Sequence, residues 1–169
     1  MKMAGFYDES ISNGLGWRAV LFCSGCPHHC PNCQNLEAQD FNYGQDFNEE
    51  EIIQKIKDNS IIKGVTLSGG EPLCPQNIKD ELHFVKRLKQ EKPNFNVWCY
   101  TGYTYEELKA RNDETTNELL DNIDVLVDGR FVEAKKDPDL MFRGSSNQRV
   151  LDVKECLKEN KIVEVKFKK

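Results

Sequence analysis

The chain has 169 residues, with 23 Lys or Arg and 28 Asp or Glu, so its formal net charge is −5 with histidine neutral. This length favours a single domain, and the mild acidity argues against a broad nucleic-acid-binding face, which needs a basic surface. The first ten residues contain no apolar run of signal-peptide length, and no stretch approaches the ~18 apolar residues of a membrane span. We therefore expect a cytoplasmic protein that contacts neither nucleic acid nor membrane.

Strand and helix signals alternate along the chain. Short apolar runs predict strands at 18–23, 64–68, 95–100 and 123–127, with a last strand at 162–167. Capping residues and apolar residues at spacings of three and four predict helices after Asn48, over 75–91, after Thr104 and over 114–122. This alternation implies βαβ units and a mostly parallel sheet, which makes the chain an α/β protein with one domain over 1–169.

Unusual residues follow each of the four main predicted strands. They lie at 23–33, 69–72, 101–102 and 128–130. The carboxyl ends of parallel strands meet at one edge of a sheet, where ligands bind. Glycines at any one of these strand ends have a purely steric explanation. Four such loops at one edge predict a binding site instead.

Cysteine usage is the most informative feature of the composition. There are seven cysteines, at positions 23, 26, 30, 33, 74, 99 and 156. An odd number excludes complete internal disulfide pairing, and a chain of this size does not need disulfides to be stable. The crowding of four cysteines between Cys23 and Cys33 points to a metal or catalytic site in a reducing compartment.

Three ligand sets fit the cysteine spacing. Two pairs, Cys23 with Cys26 and Cys30 with Cys33, would bind zinc, although structural zinc sites usually separate their pairs by about a dozen residues. A four-cysteine iron–sulfur cluster would recruit a distant fourth thiolate. A third set uses only Cys26, Cys30 and Cys33 on a 4Fe–4S cluster, which leaves one iron open to another ligand.

Two motifs indicate a family. Cys26-x3-Cys30-x2-Cys33 resembles the signature of the radical S-adenosylmethionine (radical SAM) superfamily, and Gly69-Gly70-Glu71-Pro72 is similar to its Gly-Gly-Glu-Pro motif. Beyond these, the chain resembles the activating proteins of anaerobic (class III) ribonucleoside-triphosphate reductases. The matching segments are 13–18, 24–26, 73–77, 101–103, 126–131 and 142–149.

The resemblance implies a partial (β/α) barrel that binds a 4Fe–4S cluster and S-adenosylmethionine (SAM). It implies reductive cleavage of SAM to a 5′-deoxyadenosyl radical, which takes hydrogen from a backbone glycine of the reductase and leaves a glycyl radical. A reductant protein such as flavodoxin would supply the electron. Two alternatives are the activation of another glycyl-radical enzyme, such as pyruvate formate-lyase, and a non-enzymatic zinc or iron–sulfur interaction module.

The resemblance also assigns residues, none of them a catalytic acid, base or nucleophile. The metal ligands are Cys26, Cys30 and Cys33. The predicted cofactor contacts are Asn32, Cys33 and Gln34 through backbone, Gly69, Gly70 and Glu71 at the methionine end, and Asp128 and Arg130 at the fourth strand.

Several of these assignments have alternatives. Glu71 would interact with the ammonium group at the methionine end of SAM. Arg130 would pair with the methionine carboxylate, or form only a surface salt bridge. Arg143 and residues 145–148 would bind cofactor, face the reductase or form a turn. We expect His28 and His29 to be solvated or bonded locally, and the four other cysteines to be small buried residues.

Overall fold

A computed structural model describes residues 1–33 and 35–167 of the chain. Its elements, in chain order, are β1 (Lys2–Ser10), β2 (Arg18–Cys23), β3 (Gln45–Asp46), α1 (Glu49–Asp58), β4 (Gly64–Gly69), α2 (Ile78–Glu91), β5 (Asn96–Tyr100), α3 (Tyr105–Ala110), α4 (Glu114–Asp121), β6 (Val125–Asp128), β7 (Arg149–Asp152) and α5 (Val153–Glu159). The helix starts follow from local capping. The Asn48 side chain accepts from the amide of Glu51, and Thr104 and Glu107 form a reciprocal capping box.

The strands form one seven-stranded sheet in the order β3-β1-β2-β4-β5-β6-β7. The central strands β2, β4, β5 and β6 are parallel, whereas β1, β3 and β7 pair antiparallel at the two sides. The helices between the parallel strands serve as crossovers. The predicted α/β class, with a mostly parallel sheet in a partial barrel, is confirmed.

The two faces of the sheet have different roles. Leu21, Leu67, Cys99 and Leu126 stand in register across the four parallel strands and pack in the main hydrophobic core. That core also contains the buried apolar residues of helices α1 to α5. One position further along, Phe22, Ser68, Tyr100 and Val127 line a cavity. The helices therefore cover one face, and the opposite face carries the cavity.

The predicted elements differ from the observed ones mainly at the two sides of the sheet. Four elements, β1, β3, β7 and α5, were not predicted, and helix α2 begins at Ile78 rather than residue 75. The predicted strand at 162–167 is wrong. Among the described residues, the segment forms only an isolated antiparallel bridge with β7, between Leu151 and Glu164. The backbone bonds of that bridge run from the Asp152 amide to the Val163 carbonyl and from the Val165 amide to the Val150 carbonyl. Within the described residues, no helix combines the length and apolarity that crossing a bilayer requires.

Glu81 on α2 is an unusual member of the interior. It is fully buried, and neither carboxyl oxygen has a hydrogen-bond partner in the described part of the chain. Burial raises the pKa of Glu81 well above its usual value, and the acidic neighbours Asp80 and Glu71 act in the same direction. The neighbouring thiol of Cys23 and, less strongly, the N-terminal amine act in the opposite direction, but burial has the largest effect. Burial therefore favours the neutral acid form of this group in the folded chain.

This raised pKa predicts a pH-dependent loss of stability. The unfolded chain releases the Glu81 proton near the ordinary pKa of 4.5, whereas the folded chain retains it. The free energy of unfolding therefore falls as pH rises, by about 1.4 kcal/mol per pH unit until the folded-state pKa is reached. Glu81→Gln removes this slope, so its stability relative to the unmodified chain should increase with pH.

Urea unfolding measured between about pH 5 and pH 8 checks the prediction. The exposed Glu159→Gln on α5 is the matched control and should keep the original slope. Parallel pH profiles for Glu81→Gln and the unmodified chain would contradict the account.

Candidate iron–sulfur and cofactor site

Three cysteines of one loop face a common cavity. The cysteine loop, residues 24–33, follows β2 without regular secondary structure. Cys26, Cys30 and Cys33 are half-buried and line a cavity of about 640 Å³, which lies within the usual size range of ligand sites. The four other cysteines are buried, as predicted, and none of them lines this cavity. The structure therefore separates the cysteines into three that face the cavity and four that do not.

The thiols fit an iron–sulfur cluster chemically. Burial raises the pKa of the Cys26 thiol to about 11, and binding to iron would replace its proton. Among the described residues, no three His, Cys, Asp or Glu side chains are placed to share one metal ion. A 4Fe–4S cluster does not require such convergence, because each thiolate binds a different iron. Three thiols facing one cavity are the donor set that a cluster with one open iron requires.

The Gly-Gly-Glu segment anchors the start of the cysteine loop through backbone hydrogen bonds. The Gly70 amide donates to the Cys23 carbonyl at 2.8 Å, and the Glu71 amide donates to the Gly25 carbonyl at 2.7 Å. A Cβ atom at Gly70 would collide with the carbonyl oxygen of Gly25, so only glycine allows this approach. Asn77 adds a third tie, because its buried side-chain amide donates to the carbonyls of Ser24 at 3.0 Å and Glu71 at 3.1 Å.

The carboxylate of Glu71 is enclosed by protein donors. Oε1 accepts from His28 Nε2 at 2.7 Å and from the Gly102 amide at 2.6 Å. Oε2 accepts from Thr101 Oγ1 at 2.8 Å and from the Leu73 amide at 2.9 Å. The prediction placed this carboxylate beside a methionine ammonium, whereas in the structure its partners are four groups of the chain itself.

At the end of β6, Asp128 and Arg130 both have protein partners. Buried Asp128 accepts from Arg149 Nε at 3.0 Å and from the Tyr105 amide at 2.8 Å. The hydrogen bond between Arg149 and Asp128 raises the pKa of Arg149. Arg130 is 44% exposed and pairs with Glu107 at 3.1 Å, outside the cavity lining. The structure therefore shows the surface salt bridge for Arg130, and cofactor contact by either residue stays a prediction.

Gln148 organises the segment that forms the far wall of the cavity. Its Oε1 accepts from the amides of Gly144 at 2.8 Å and Ser145 at 3.1 Å, while its Nε2 donates to the Gly129 carbonyl at 2.9 Å. Asn147 likewise donates to the Arg130 carbonyl at 2.8 Å. The segment 143–149 is thus an internally bonded turn that is fastened to the end of β6.

Arg143 lies on the cavity wall and has few partners. Its Nη1 donates to the Gln148 carbonyl at 3.0 Å, and its Nε is buried with no partner in residues 1–33 and 35–167. None of the ion pairs found in that part of the chain includes Arg143. It therefore brings a positive charge to the cavity without a carboxylate beside it.

Some of the remaining predicted contact residues line the cavity and others do not. Cys33, Gly69, Gly70 and Glu71 line the cavity, whereas Asn32 is exposed and lies outside the lining. Gln34 lies outside the described residues. The expectation that His28 is solvated or bonded locally is wrong, because its side chain is buried and bonds to Glu71, 43 residues further along the chain. Asn77 was given no role, and the only signal for it was its place within a family-like segment. Neither contact could be inferred from local sequence, because the bonds from His28 to Glu71 and from Asn77 to Ser24 join residues more than forty positions apart.

Comparison with known proteins agrees with this geometry. A family model described as a 4Fe-4S single cluster domain matches residues 12–151. An anaerobic ribonucleoside-triphosphate reductase-activating protein from Pasteurella multocida is 45% identical over 152 residues, which cover 88% of this chain and 95% of the relative. The Escherichia coli K12 protein of the same name is 46% identical, with 86% and 94% covered, and that of Enterobacteria phage T4 is 36% identical, with 85% and 89% covered. The chain therefore belongs to the family of anaerobic ribonucleoside-triphosphate reductase-activating proteins.

Proposed function

We propose that this chain activates an anaerobic ribonucleoside-triphosphate reductase by forming a glycyl radical on it. The observation that carries the proposal is the position of Cys26, Cys30 and Cys33 on one cavity, beside the Gly-Gly-Glu segment at the carboxyl end of β4. When bound, the 4Fe–4S cluster and SAM supply the reductive sulfonium cleavage and the hydrogen abstraction. The protein supplies binding, orientation and exclusion of water.

The chain's own residues divide this work. The three thiolates hold the cluster, and the backbone of Gly69 and Gly70 forms the wall beside it. The sheet face with Phe22 and Tyr100 gives the cavity an apolar floor that keeps water from the reacting groups. The cavity stays open at its rim, so a glycine-bearing loop of the partner protein can enter and complete the enclosure.

We further propose that a reductant protein such as flavodoxin supplies the electron. We also propose a cytoplasmic location, because seven free cysteines suit a reducing compartment.

The activation assay tests the function directly. The chain is reconstituted anaerobically with iron and sulfide, reduced, and given SAM together with the reductase. We expect 5′-deoxyadenosine and methionine as products and a glycyl-radical EPR signal on the reductase. Absence of 5′-deoxyadenosine would refute the chemistry. A radical on pyruvate formate-lyase but not on the reductase would refute the partner.

The division of the cysteines makes a second prediction. Cys26→Ala should lose nearly all iron and labile sulfide after reconstitution, because a cluster thiolate disappears. Cys23→Ala should retain both, since Cys23 is buried on β2 and does not line the cavity. Iron and sulfide analysis of the two variants provides the measurement. Equal loss from both would indicate a four-cysteine site.

A third prediction separates two arginines that compete for the methionine carboxylate of SAM. Arg143 faces the cavity without a carboxylate partner, whereas Arg130 is already paired with Glu107. Arg143→Ala should weaken SAM binding about tenfold or more, the loss expected for one charge-assisted hydrogen bond. Arg130→Ala should bind SAM normally, because the ion pair with Glu107 supports the alternative in which Arg130 forms a surface salt bridge rather than a cofactor contact.

Equilibrium dialysis of SAM against the oxidised, cluster-loaded variants gives the affinities without turnover. A loss of affinity in Arg130→Ala together with normal binding by Arg143→Ala would reverse the assignment.

A further inference from the structure

The middle of the cysteine loop has few backbone anchors. At its start, the amides of Gly25 and Cys26 donate to the carbonyls of Ala38 and Gln39. Pro27 and Pro31 have no amide hydrogen to donate. Beyond Cys26, the only backbone bond found within the described part of the loop runs from the Cys33 amide to the Cys30 carbonyl. Cys30 therefore depends on side-chain contacts for its position relative to the strands.

His28 provides such a contact. Its side chain is 5% exposed, and its Nε2 lies 2.7 Å from Oε1 of Glu71, whose side chain is 1% exposed. The ring meets the ring of Tyr103 edge-on, with centroids 4.5 Å apart. A Cβ atom at Gly102 would come within 2.5 Å of the imidazole, so glycine at that position makes room for the ring.

The carboxylate that receives His28 has no capacity left for another donor. An ionised carboxylate offers about four lone-pair sites. In addition to His28, the donors are Thr101, Gly102 and Leu73. Two of these belong to the end of β5 and one to the turn after β4. Glu71 therefore connects the cysteine loop to two strand ends at once.

The neighbouring histidine shows that this contact is specific. His29 is exposed, has a positive φ of 50°, and is not among the residues that line the cavity. The two histidines share one loop between the same two cysteines, yet only His28 enters the interior. His29 is therefore a matched control for His28, because it also lies within three residues of both Cys26 and Cys30.

We propose that His28 is a positioning residue, which holds the middle of the cysteine loop on the strand ends through Glu71, and that Glu71 serves the loop rather than the cofactor ammonium. The inference rests on the proposed function, because it takes Cys26, Cys30 and Cys33 as the cluster ligands. Removal of His28 frees the loop between its two prolines. The three thiolates then lose the fixed spacing that a cluster with one open iron requires.

The test compares His28→Ala, His28→Gln and His29→Ala in the reconstituted full chain. Glutamine places an amide Nε2 donor where the imidazole Nε2 stands, so it keeps the bond to Glu71. We expect iron loss to a chelator to be about tenfold faster in His28→Ala, the usual effect of losing a group that orients a metal ligand. His29→Ala should match the unmodified chain, and His28→Gln should recover most of the difference.

A spectroscopic readout distinguishes positioning from general destabilisation. A ligand that binds the open iron alters the EPR spectrum of the reduced cluster. His28→Ala should show a heterogeneous spectrum with a weakened response to SAM, whereas His28→Gln should show the normal response. Identical chelator rates and spectra in His28→Ala and His29→Ala would overturn the proposal, and so would a failure of His28→Gln to recover either property.

Glu71→Gln provides the independent arm. Its amide presents hydrogens to donors that now face a carboxylate, so the loop should loosen and iron loss should accelerate as in His28→Ala. Normal cluster retention combined with lost SAM binding would instead assign Glu71 to the cofactor and overturn the proposal. Failure of the unmodified chain to hold a cluster would overturn both the inference and the proposed function, whereas normal loading with unaffected variants would overturn the inference alone.

Discussion

The carboxylate of Glu71 is the point on which the geometry of the site depends. It is buried, and it accepts from four donors that belong to the cysteine loop, the turn after β4 and the end of β5. Burying a charge costs free energy unless such bonds compensate for it. Removing one donor leaves an acceptor site of the buried carboxylate unsatisfied, at a cost of about 1–3 kcal/mol. The segments that build the cavity wall are therefore fixed as a unit.

The alternation of the strands explains how so short a chain can hold both a core and a cavity. Leu21, Leu67 and Leu126 face the helices, while Phe22 and Val127, one residue further on, face the cavity. Helix packing on one side makes the sheet rigid, and the other face is left to the ligands and to the loop over 131–148. The buried Arg18 extends this rigidity to the opposite edge of the sheet, where it bonds to Thr66 and to the carbonyls of Leu15 and Asn96.

Local pattern predicted the parallel strands and the shared edge because apolar runs, caps and terminal glycines are properties of neighbouring residues. β2 was predicted with its observed bounds, and the family followed from short motifs. The side strand β1 was not predicted, since its sequence is mixed and its pairing is set by β2. The hydrogen-bond partners of Glu71 and Arg130 could not be predicted from the sequence either. Segments that are distant in the chain decide whether a charged side chain faces a ligand or another protein group.

The most direct test of the central claim is a crystal structure of the chain loaded with its cluster and SAM. In that structure, Glu71 should remain within hydrogen-bond distance of His28 Nε2, Thr101 Oγ1 and the amides of Leu73 and Gly102. The methionine ammonium would then be bound by other groups. A structure in which His28 is released and the Glu71 carboxylate contacts the ammonium would contradict the account.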